Sequence, residues 1–111
     1  MKLISCVIRP MKLGEVCEAL AAIGVGGVTV SVAEGFGKRG RTDLPRGIDS
    51  SALLQPKARI EVAVRDDMAD AVVDAMISAA QTGHLGDGKV FVVDLQQVVR
   101  IRNRDAGEDA L

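Results

Sequence analysis

The alternation of apolar and polar residues predicts four β-strands. Residues 2–9 are rich in β-branched side chains and end at Pro10, and Ile4, Cys6 and Ile8 would share one face. Two later segments alternate with the period of two that half-buried strands show. Their apolar sets are Val28, Val30 and Val32, and then Ile60, Val62 and Val64, and a largely apolar run follows at residues 90–95.

Two segments between these strands repeat their apolar residues with helical spacing. The first is predicted to end at Gly24, and the second begins after Asp66 and Asp67, either of which can cap it. The apolar face of the first consists of Leu13, Val16, Cys17 and Leu20, and that of the second of Ala69, Val72, Val73, Met76, Ile77 and Ala80.

The order of these elements, β-α-β twice, predicts one α+β domain over residues 1–111. It is the ferredoxin-like βαββαβ arrangement, an antiparallel sheet with two helices on one face. The uncovered sheet face carries Val and Leu, so we expect other copies of the chain to bury it. Residues 37–56 lie between the two halves without usable periodicity, and loops of about twenty residues are usually functional or disordered. We therefore expect an exposed segment that docks on partners.

Residues 82–89, Thr-Gly-His-Leu-Gly-Asp-Gly-Lys, form what we call the glycine loop. Glycines bring bare backbone N–H groups close to a ligand, and three of them before a lysine indicate a phosphate cradle. The spacing from Gly83 to Lys89 fits the P-loop pattern, but Val90 occupies the position of the magnesium-binding Ser or Thr. The loop also joins a helix to a strand, the reverse of the P-loop order. A P-loop NTPase is therefore excluded, while a plain turn at a helix end stays open.

Arg100, Arg102 and Arg104 alternate near the end of the chain. In an extended segment they would lie on one side, and guanidinium forks suit phosphate oxygens. The alternative is a solvated edge strand protected by its charges.

Composition narrows the possible functions. Among 111 residues, 48% are apolar, Trp and Tyr are absent and the net charge is -1, which argues against stacking platforms and a broad basic surface for nucleic acid. Cys6 and Cys17 have no metal or redox spacing and are interpreted as small buried apolar groups. The sequence shows no signal peptide and no apolar run of membrane-spanning length, so we expect a cytoplasmic protein without membrane insertion.

Several separated motifs resemble those of one family. The chain is similar to the PII signal-transduction proteins, trimeric nitrogen regulators, over its whole length. The shared motifs are Met1 to Ile4, Arg9-Pro10, Lys12-Leu13, Glu34 to Gly37, Pro56 to Glu61, the glycine loop with Val90-Phe91, Arg100 to Arg102, and Gly107 to Leu111.

This resemblance implies a homotrimeric regulator rather than an enzyme. ATP or ADP, with Mg possible beside ATP, would bind in clefts between subunits. The family's T-loop corresponds to about residues 37–55, its B-loop to residues 82–89 and its C-terminal segment to about residues 96–111. The T-loop would dock on a protein target, an ammonium or bicarbonate transporter or a metabolic enzyme.

The resemblance also implies the nucleotide contacts. The phosphates would meet the backbone of the glycine loop and the side chain of Lys89, and two arginines would reach them from the neighbouring subunit. The implied nucleotide residues are Val7, Thr29, Gly35, Gly37, Lys38, Glu61, Ala63, Gly86, Asp87, Gly88, Lys89, Arg100 and Arg102.

Two departures from the family fall in the T-loop. Arg39 lies at or beside a glutamine that helps bind the magnesium between ATP and 2-oxoglutarate, and a guanidinium cannot ligate magnesium. Lys57, which matches the lysine that pairs with the oxoacid, is present, and we expect 2-oxoglutarate binding to be lost or weak. Ser50 replaces the tyrosine that many relatives have uridylylated, so uridylylation there is excluded and serine phosphorylation is an open alternative.

Other functions stay open at this point. The extra cations could hold bicarbonate, which would make the protein a sensor of adenine nucleotides with carbon signalling. A small phosphate-ester hydrolase on the same fold is the enzymatic alternative. A purely structural trimer, resembling the cation-tolerance proteins, is the third.

Overall fold

The computed structural model describes residues 1–37 and 53–111. The elements are β1 (Lys2–Ile8), α1 (Leu13–Ala22), β2 (Thr29–Gly35), β3 (Gln55–Val64), α2 (Ala69–Ala80) and β4 (Lys89–Asp94), with short 3-10 turns at Pro10–Lys12, Asp66–Met68 and Gly107–Ala110. The four strands form one antiparallel sheet in the order β2-β3-β1-β4, and two helices accompany it, which confirms the predicted ferredoxin-like fold.

The core lies between the helices and the two central strands. The predicted inward set of β1 is buried and pairs with the inward set of β3, so that Ile4 faces Val62 and Cys6 faces Ile60 across the strands. Burying each such aliphatic side chain stabilises the fold by roughly 1.5–3 kcal/mol. The predicted helix faces are confirmed except at Ile77, which is 43% exposed. The buried residues of the two helices are Val16, Leu20, Ala69, Val72, Met76 and Ala80.

The start of α2 differs from the prediction. Asp66 and Asp67 do not cap this helix, because a 3-10 turn precedes it and the N-cap residue is Met68. Asp66 instead accepts from the Met1 amino group at 2.8 Å, a contact that lowers the pKa of its carboxyl. Asp67 lies 3.4 Å from the Arg65 guanidinium. Two ion pairs therefore replace the expected cap.

The third strand begins earlier than its alternation predicts. β3 starts at Gln55, which pairs with Gly35, the last residue of β2. The two strands therefore stay paired up to the ends that flank the long segment between them. The early part was not predicted because Lys57 and Arg59 face Ala33 and Ser31 on a surface that the helices do not bury. Residues 38–52, with Lys38, Arg39 and Ser50, lie outside the described residues.

Apolar side chains stay exposed at both edges of the sheet. The predicted apolar set of β2 is only partly covered, since Val30 is 43% and Val32 is 91% exposed. On β4, Phe91 and Val93 are about half exposed on the face away from the helices. Phe91 and Val93 belong to the open sheet face that we expect other copies of the chain to bury, whereas Val30, which pairs with the buried Ile60, and Val32 lie on the helix side of the sheet.

The described residues contain no helix with the length and apolarity needed to cross a bilayer.

Candidate anion-binding site

The glycine loop lies at the end of the sheet where β1 and β2 finish and β3 and β4 begin. It leaves α2 after Ala80 and enters β4 at Lys89, whose partner across the strands is Val7. The antiparallel register thus places the end of β1, with Arg9, and the start of β3, with Lys57, at the same end of the sheet as the loop.

The backbone of the glycine loop needs its glycines. Gly83, Gly86 and Gly88 have φ angles of 84, 101 and 102°, values that residues with a side chain rarely adopt. At Gly88 a Cβ atom would lie 1.6 Å from the carbonyl oxygen of Val7. The loop therefore approaches β1 so closely that only glycine fits.

One carboxylate organises the loop from inside. Asp87 accepts from the Thr82 hydroxyl at 2.5 Å, from the Thr82 N–H at 2.8 Å and from the Gly83 N–H at 2.9 Å. Arg9 adds a fourth donor, with Nε 3.3 Å from the same carboxylate. These contacts, led by the Thr82 hydroxyl, hold the pKa of Asp87 well below its ordinary value. The side chain of Asp87 thus holds the loop together rather than pointing to a ligand.

Two cations hold the outer part of the loop through its carbonyl groups. Arg9 Nη2 donates to the carbonyl oxygen of Leu85 at 2.6 Å, and Lys57 Nζ donates to that of Gly86 at 3.0 Å. Lys57 was predicted for the oxoacid, and here it contacts the loop. Arg9 was not among the predicted site residues. Its position beside Pro10, where β1 ends, is the only sequence signal that it lies near this loop.

With these carbonyls engaged, two glycine amides of the loop stay open. The backbone N–H groups of Gly86 and Gly88 meet no hydrogen-bond acceptor within residues 1–37 and 53–111, while residues 85–86 form a turn that directs the Asp87 N–H toward the His84 carbonyl. Unpaired N–H groups in a glycine-rich loop make a concave site for anions. Lys89 follows directly and is exposed. This part of the loop has the chemistry to bind a phosphate.

The residues predicted around the nucleoside share one face of the sheet. Thr29 faces Glu61 across β2 and β3, and Ala63 lies two residues further along β3. Val7, on β1, is in phase with them because it pairs with Arg59 of β3. The register therefore places all four on the face away from the helices. Gly35 and Gly37 lie at the end of β2, on the same edge as the glycine loop.

The arginines of the C-terminal segment do not form an extended row, and that prediction is wrong. Val99 bridges to Ala106, and residues 99–106 between them form what we call the arginine turn. Within it the Arg104 N–H donates to the Arg100 carbonyl at 2.8 Å, and Arg104 has φ 64°. These local hydrogen bonds favour a turn over an extended segment, so the three guanidinium groups do not lie along one side of a strand.

Arg100 lines a groove of about 560 Å³ that it shares with Ala63 and with residues 24–27. No residue of the glycine loop lines this groove. Within one protomer, the glycine loop and the arginine turn therefore belong to separate surfaces.

Comparison with known proteins identifies the family. A model of the family described as nitrogen regulatory protein P-II matches residues 1–105. The chain is 48% identical to nitrogen regulatory protein GlnK of Escherichia coli (strain K12), and 46% identical to nitrogen regulatory protein P-II of Rhizobium meliloti (strain 1021), each over the whole of both chains. The chain belongs to the P-II family.

Membership of the P-II family confirms the resemblance seen in the motifs. The relatives are named as regulatory proteins, which agrees with the prediction of a regulator rather than an enzyme. The alignment with GlnK spans 112 positions for the 111 residues of this chain, so this P-II chain lacks at least one position that GlnK has.

The two cysteines of this P-II protein take no part in the site. Both are free thiols; Cys6 is buried, and its burial raises the pKa of its thiol to about 11. Cys17 packs against the same core. The interpretation as a small buried apolar group is therefore confirmed for Cys6, whereas Cys17 is only partly buried. Within the part of the chain that the structure describes, His, Cys, Asp and Glu form no group of three that could hold a metal ion.

Proposed function

We propose that this protein is a P-II signal-transduction regulator that binds ATP or ADP and controls a protein target through residues 37–55. The adenine nucleotide is the signal, and the target is a transporter or an enzyme, most directly one of nitrogen metabolism. The assignment rests on the family and on the chemistry of the glycine loop.

The observation that carries the nucleotide proposal is the pair of open amides at Gly86 and Gly88, next to Lys89. They lie in a loop whose glycine backbone and internal carboxylate are already fixed, so little ordering is needed when an anion binds. Lys89, next along the chain, supplies a point charge suited to phosphate.

The complete site is proposed to form between two copies of the chain in a homotrimer. Arg100 and Arg102 of one copy would reach the phosphates held by the glycine loop of the next, which accounts for their separation within one protomer. Val7, Thr29, Glu61 and Ala63, on the open sheet face, would surround the nucleoside.

Nucleotide binding is tested by calorimetry with ATP, ADP and AMP. We expect binding of ATP and ADP, and a loss of about tenfold or more in ATP affinity for Lys89→Ala, because a charge-assisted contact to phosphate is removed. Lys2→Ala is the matched control, since Lys2 pairs with Asp94 at the other end of β1. Absence of ATP binding by the unaltered protein, or equal losses in both variants, contradicts the proposal.

Thermal unfolding gives a second readout at fixed protein concentration. A nucleotide at 100 times its dissociation constant stabilises the folded state by about 2.7 kcal/mol, which raises Tm. A purely structural trimer would show no such shift. Turnover of ATP at about 1 per second or faster would instead favour the hydrolase.

The trimer is tested by native mass spectrometry. We expect three times the protomer mass, with or without nucleotide. A monomer as the main species would leave the glycine loop without the arginines of a neighbour, and would contradict the composite site.

We also propose that 2-oxoglutarate binds weakly or not at all. Arg39 stands at or beside the position of the magnesium-binding glutamine, and Lys57 donates to the Gly86 carbonyl. Calorimetry with Mg-ATP present is expected to show no micromolar binding of 2-oxoglutarate. Arg39→Gln is the informative variant, because it should strengthen oxoacid binding if the guanidinium is the obstacle. A parallel titration with bicarbonate tests the carbon-signalling alternative.

A further inference from the structure

The arginine turn carries an inference that rests on the proposed nucleotide function. Arg100 is held at four points within its own chain. Its side chain donates from Nη1 to Asp105 Oδ2 at 2.9 Å and from Nη2 to the Asp109 carbonyl at 3.0 Å. Its backbone N–H donates to the Asp105 carbonyl at 2.8 Å, and its own carbonyl accepts from Arg104. This arginine is fixed before any ligand arrives.

Asp105 contributes two of these contacts, and its carboxylate is itself oriented. The Asn103 amide donates to Asp105 Oδ2 at 2.9 Å, and the Asn103 side-chain oxygen accepts from the Asp105 N–H at 3.1 Å. Arg102 and Arg104 differ, because their side chains form no hydrogen bond or ion pair with the described residues. Only one arginine of the turn is thus held in place.

The Asp105 carboxylate lies outside the groove that Arg100 lines, and this position determines its role. Arg100 lines the groove beside Ala63, whereas Asp105 does not, and no Asp or Glu side chain is among the described residues that line it. A guanidinium has five N–H donors, and the two side-chain bonds of Arg100 leave three for a ligand. The acid therefore holds the arginine from behind without placing its own charge in the groove.

We propose that Asp105 is a positioning residue for the nucleotide phosphates, acting through Arg100. It fixes one fork of the guanidinium, so that the remaining donors are aimed into the groove and less side-chain freedom is lost on binding. Its effect is expected mainly on the outer phosphates, because AMP lacks the groups that a fixed guanidinium fork would bind.

The test compares Asp105→Asn with Glu15→Gln in ATP and AMP titrations of the full-length protein. Glu15 is an exposed acid that pairs with Lys12, 3.3 Å away, and neither residue lines the groove, so it is the matched control. We expect Asp105→Asn to lose about tenfold in ATP affinity, by analogy with partners that orient ligand groups at metal sites, and clearly less in AMP affinity. We expect Glu15→Gln to stay within about twofold of the unaltered protein, as an exposed pair contributes little.

NMR of the nucleotide-free protein gives a readout that a general loss of stability would not move. Two separately bonded Nη groups should slow rotation of the Arg100 guanidinium and give resolved Nη–H signals, which should merge in Asp105→Asn. Asn103→Ala, which removes the contacts that orient Asp105, should fall between the two. It provides a second, milder variant should Asp105→Asn fold poorly.

The outcomes separate this inference from the proposed function. Unchanged or tighter ATP binding by Asp105→Asn overturns the inference, since tighter binding would mean that the carboxylate merely offsets the charge of Arg100. Equal losses for ATP and AMP overturn it as well, because they indicate general damage. If the unaltered protein binds no ATP, the proposed function fails first and the inference with it.

Discussion

Two connecting segments of this protein each depend on one aspartate, but they present different chemistry. In the glycine loop, Asp87 accepts hydrogen bonds from Thr82, Gly83 and Arg9, and the groups left open to a ligand are glycine backbone amides. In the arginine turn, Asp105 holds Arg100, and the exposed product is a side chain. In both cases the carboxylate organises a cationic or amide surface and is not itself directed to a ligand.

The two segments also differ in the type of residue that occupies their positive-φ positions. The loop uses glycine at all three such positions, whereas the turn uses Arg104 at φ 64°. The reason lies in the surroundings: Gly88 touches the backbone of β1, while Arg104 is exposed. Close approach of another strand requires glycine, and an open turn can bear the moderate strain of a side chain.

The largest expected effect separates crowding from strain inside the glycine loop. Gly88→Ala and Gly86→Ala impose nearly the same φ penalty, of about 1–3 kcal/mol. Only Gly88→Ala also drives a Cβ into the Val7 carbonyl, whereas at Gly86 the nearest atom, 3.0 Å away, belongs to the flexible side chain of Arg9. We expect Gly88→Ala to destabilise the protein by about 2 kcal/mol beyond Gly86→Ala, measured by urea unfolding at fixed protein concentration.

A third glycine variant is the control for the effect of adding a methyl group on the free energy of unfolding. Gly14 lies in the first turn of α1, in open space and without positive φ, so Gly14→Ala should stabilise by up to about 1 kcal/mol. Equal losses for Gly86→Ala and Gly88→Ala would show that the loop can move away from β1.

The next effect concerns the carboxylate of the loop. Asp87→Asn keeps one acceptor oxygen but cannot accept from all four donors, so the open amides should lose their arrangement. We expect ATP affinity to fall about tenfold, comparable with loss of an orienting partner at a metal site. Calorimetry measures this, with Asp70→Asn on the exposed side of α2 as the control. Unchanged affinity would mean that the loop is ordered without Asp87.

The same variant predicts a pH dependence. The folded-state pKa of Asp87 lies below its ordinary value, so its stabilising contribution is complete above about pH 3.9, the unfolded-state pKa, and fades as the pH falls toward the folded-state pKa. The gap in stability between the unaltered protein and Asp87→Asn should therefore be constant near neutral pH and shrink from about pH 4 downward. Asp66, whose pKa is also lowered, is present in both proteins and cancels. A gap that widens in acid contradicts this account.

A smaller effect on ATP affinity is expected from Arg9, the cation that contacts Asp87 and the Leu85 carbonyl. Arg9→Gln loses the contact to Asp87 and shortens the reach to the Leu85 carbonyl, but the three donors from Thr82 and Gly83 remain. We expect a loss of about threefold in ATP affinity, less than for Asp87→Asn, because one charged hydrogen bond at a partly exposed site contributes modestly. Lys12→Gln, which breaks a neighbouring pair with Glu15, is the control and should change affinity little.

The smallest effect tests the strain in the arginine turn. Arg104→Gly removes the φ penalty but adds flexibility to the unfolded chain, and the two terms nearly offset, for a net change of about 0.5 kcal/mol or less. Thermal unfolding measures it. A large loss of stability would show that the Arg104 side chain holds the turn.

The order of elements and the identity of the core followed from periodicity alone, because burial on one face imposes a period of two on strands and of 3.6 on helices. Ile4, Cys6, Ile8, Val16 and Leu20 are buried as that rule requires. The glycine loop was also visible, because only glycine tolerates its backbone. The rule failed where burial does not act, as at Lys57 in the early part of β3 and at Val32, which is 91% exposed in the protomer.

Tertiary structure alone decided which distant groups meet. Arg9 and Asp87 are far apart in sequence and come together because the sheet register brings the end of β1 beside the start of β4. Asp66 does not cap α2, because it pairs with the Met1 amino group. Arg100 lies in a turn rather than in an extended segment, because it pairs with Asp105 and its carbonyl accepts a local backbone hydrogen bond. Local patterns record which face of an element is buried, whereas the choice among polar partners depends on distances that only the folded chain sets.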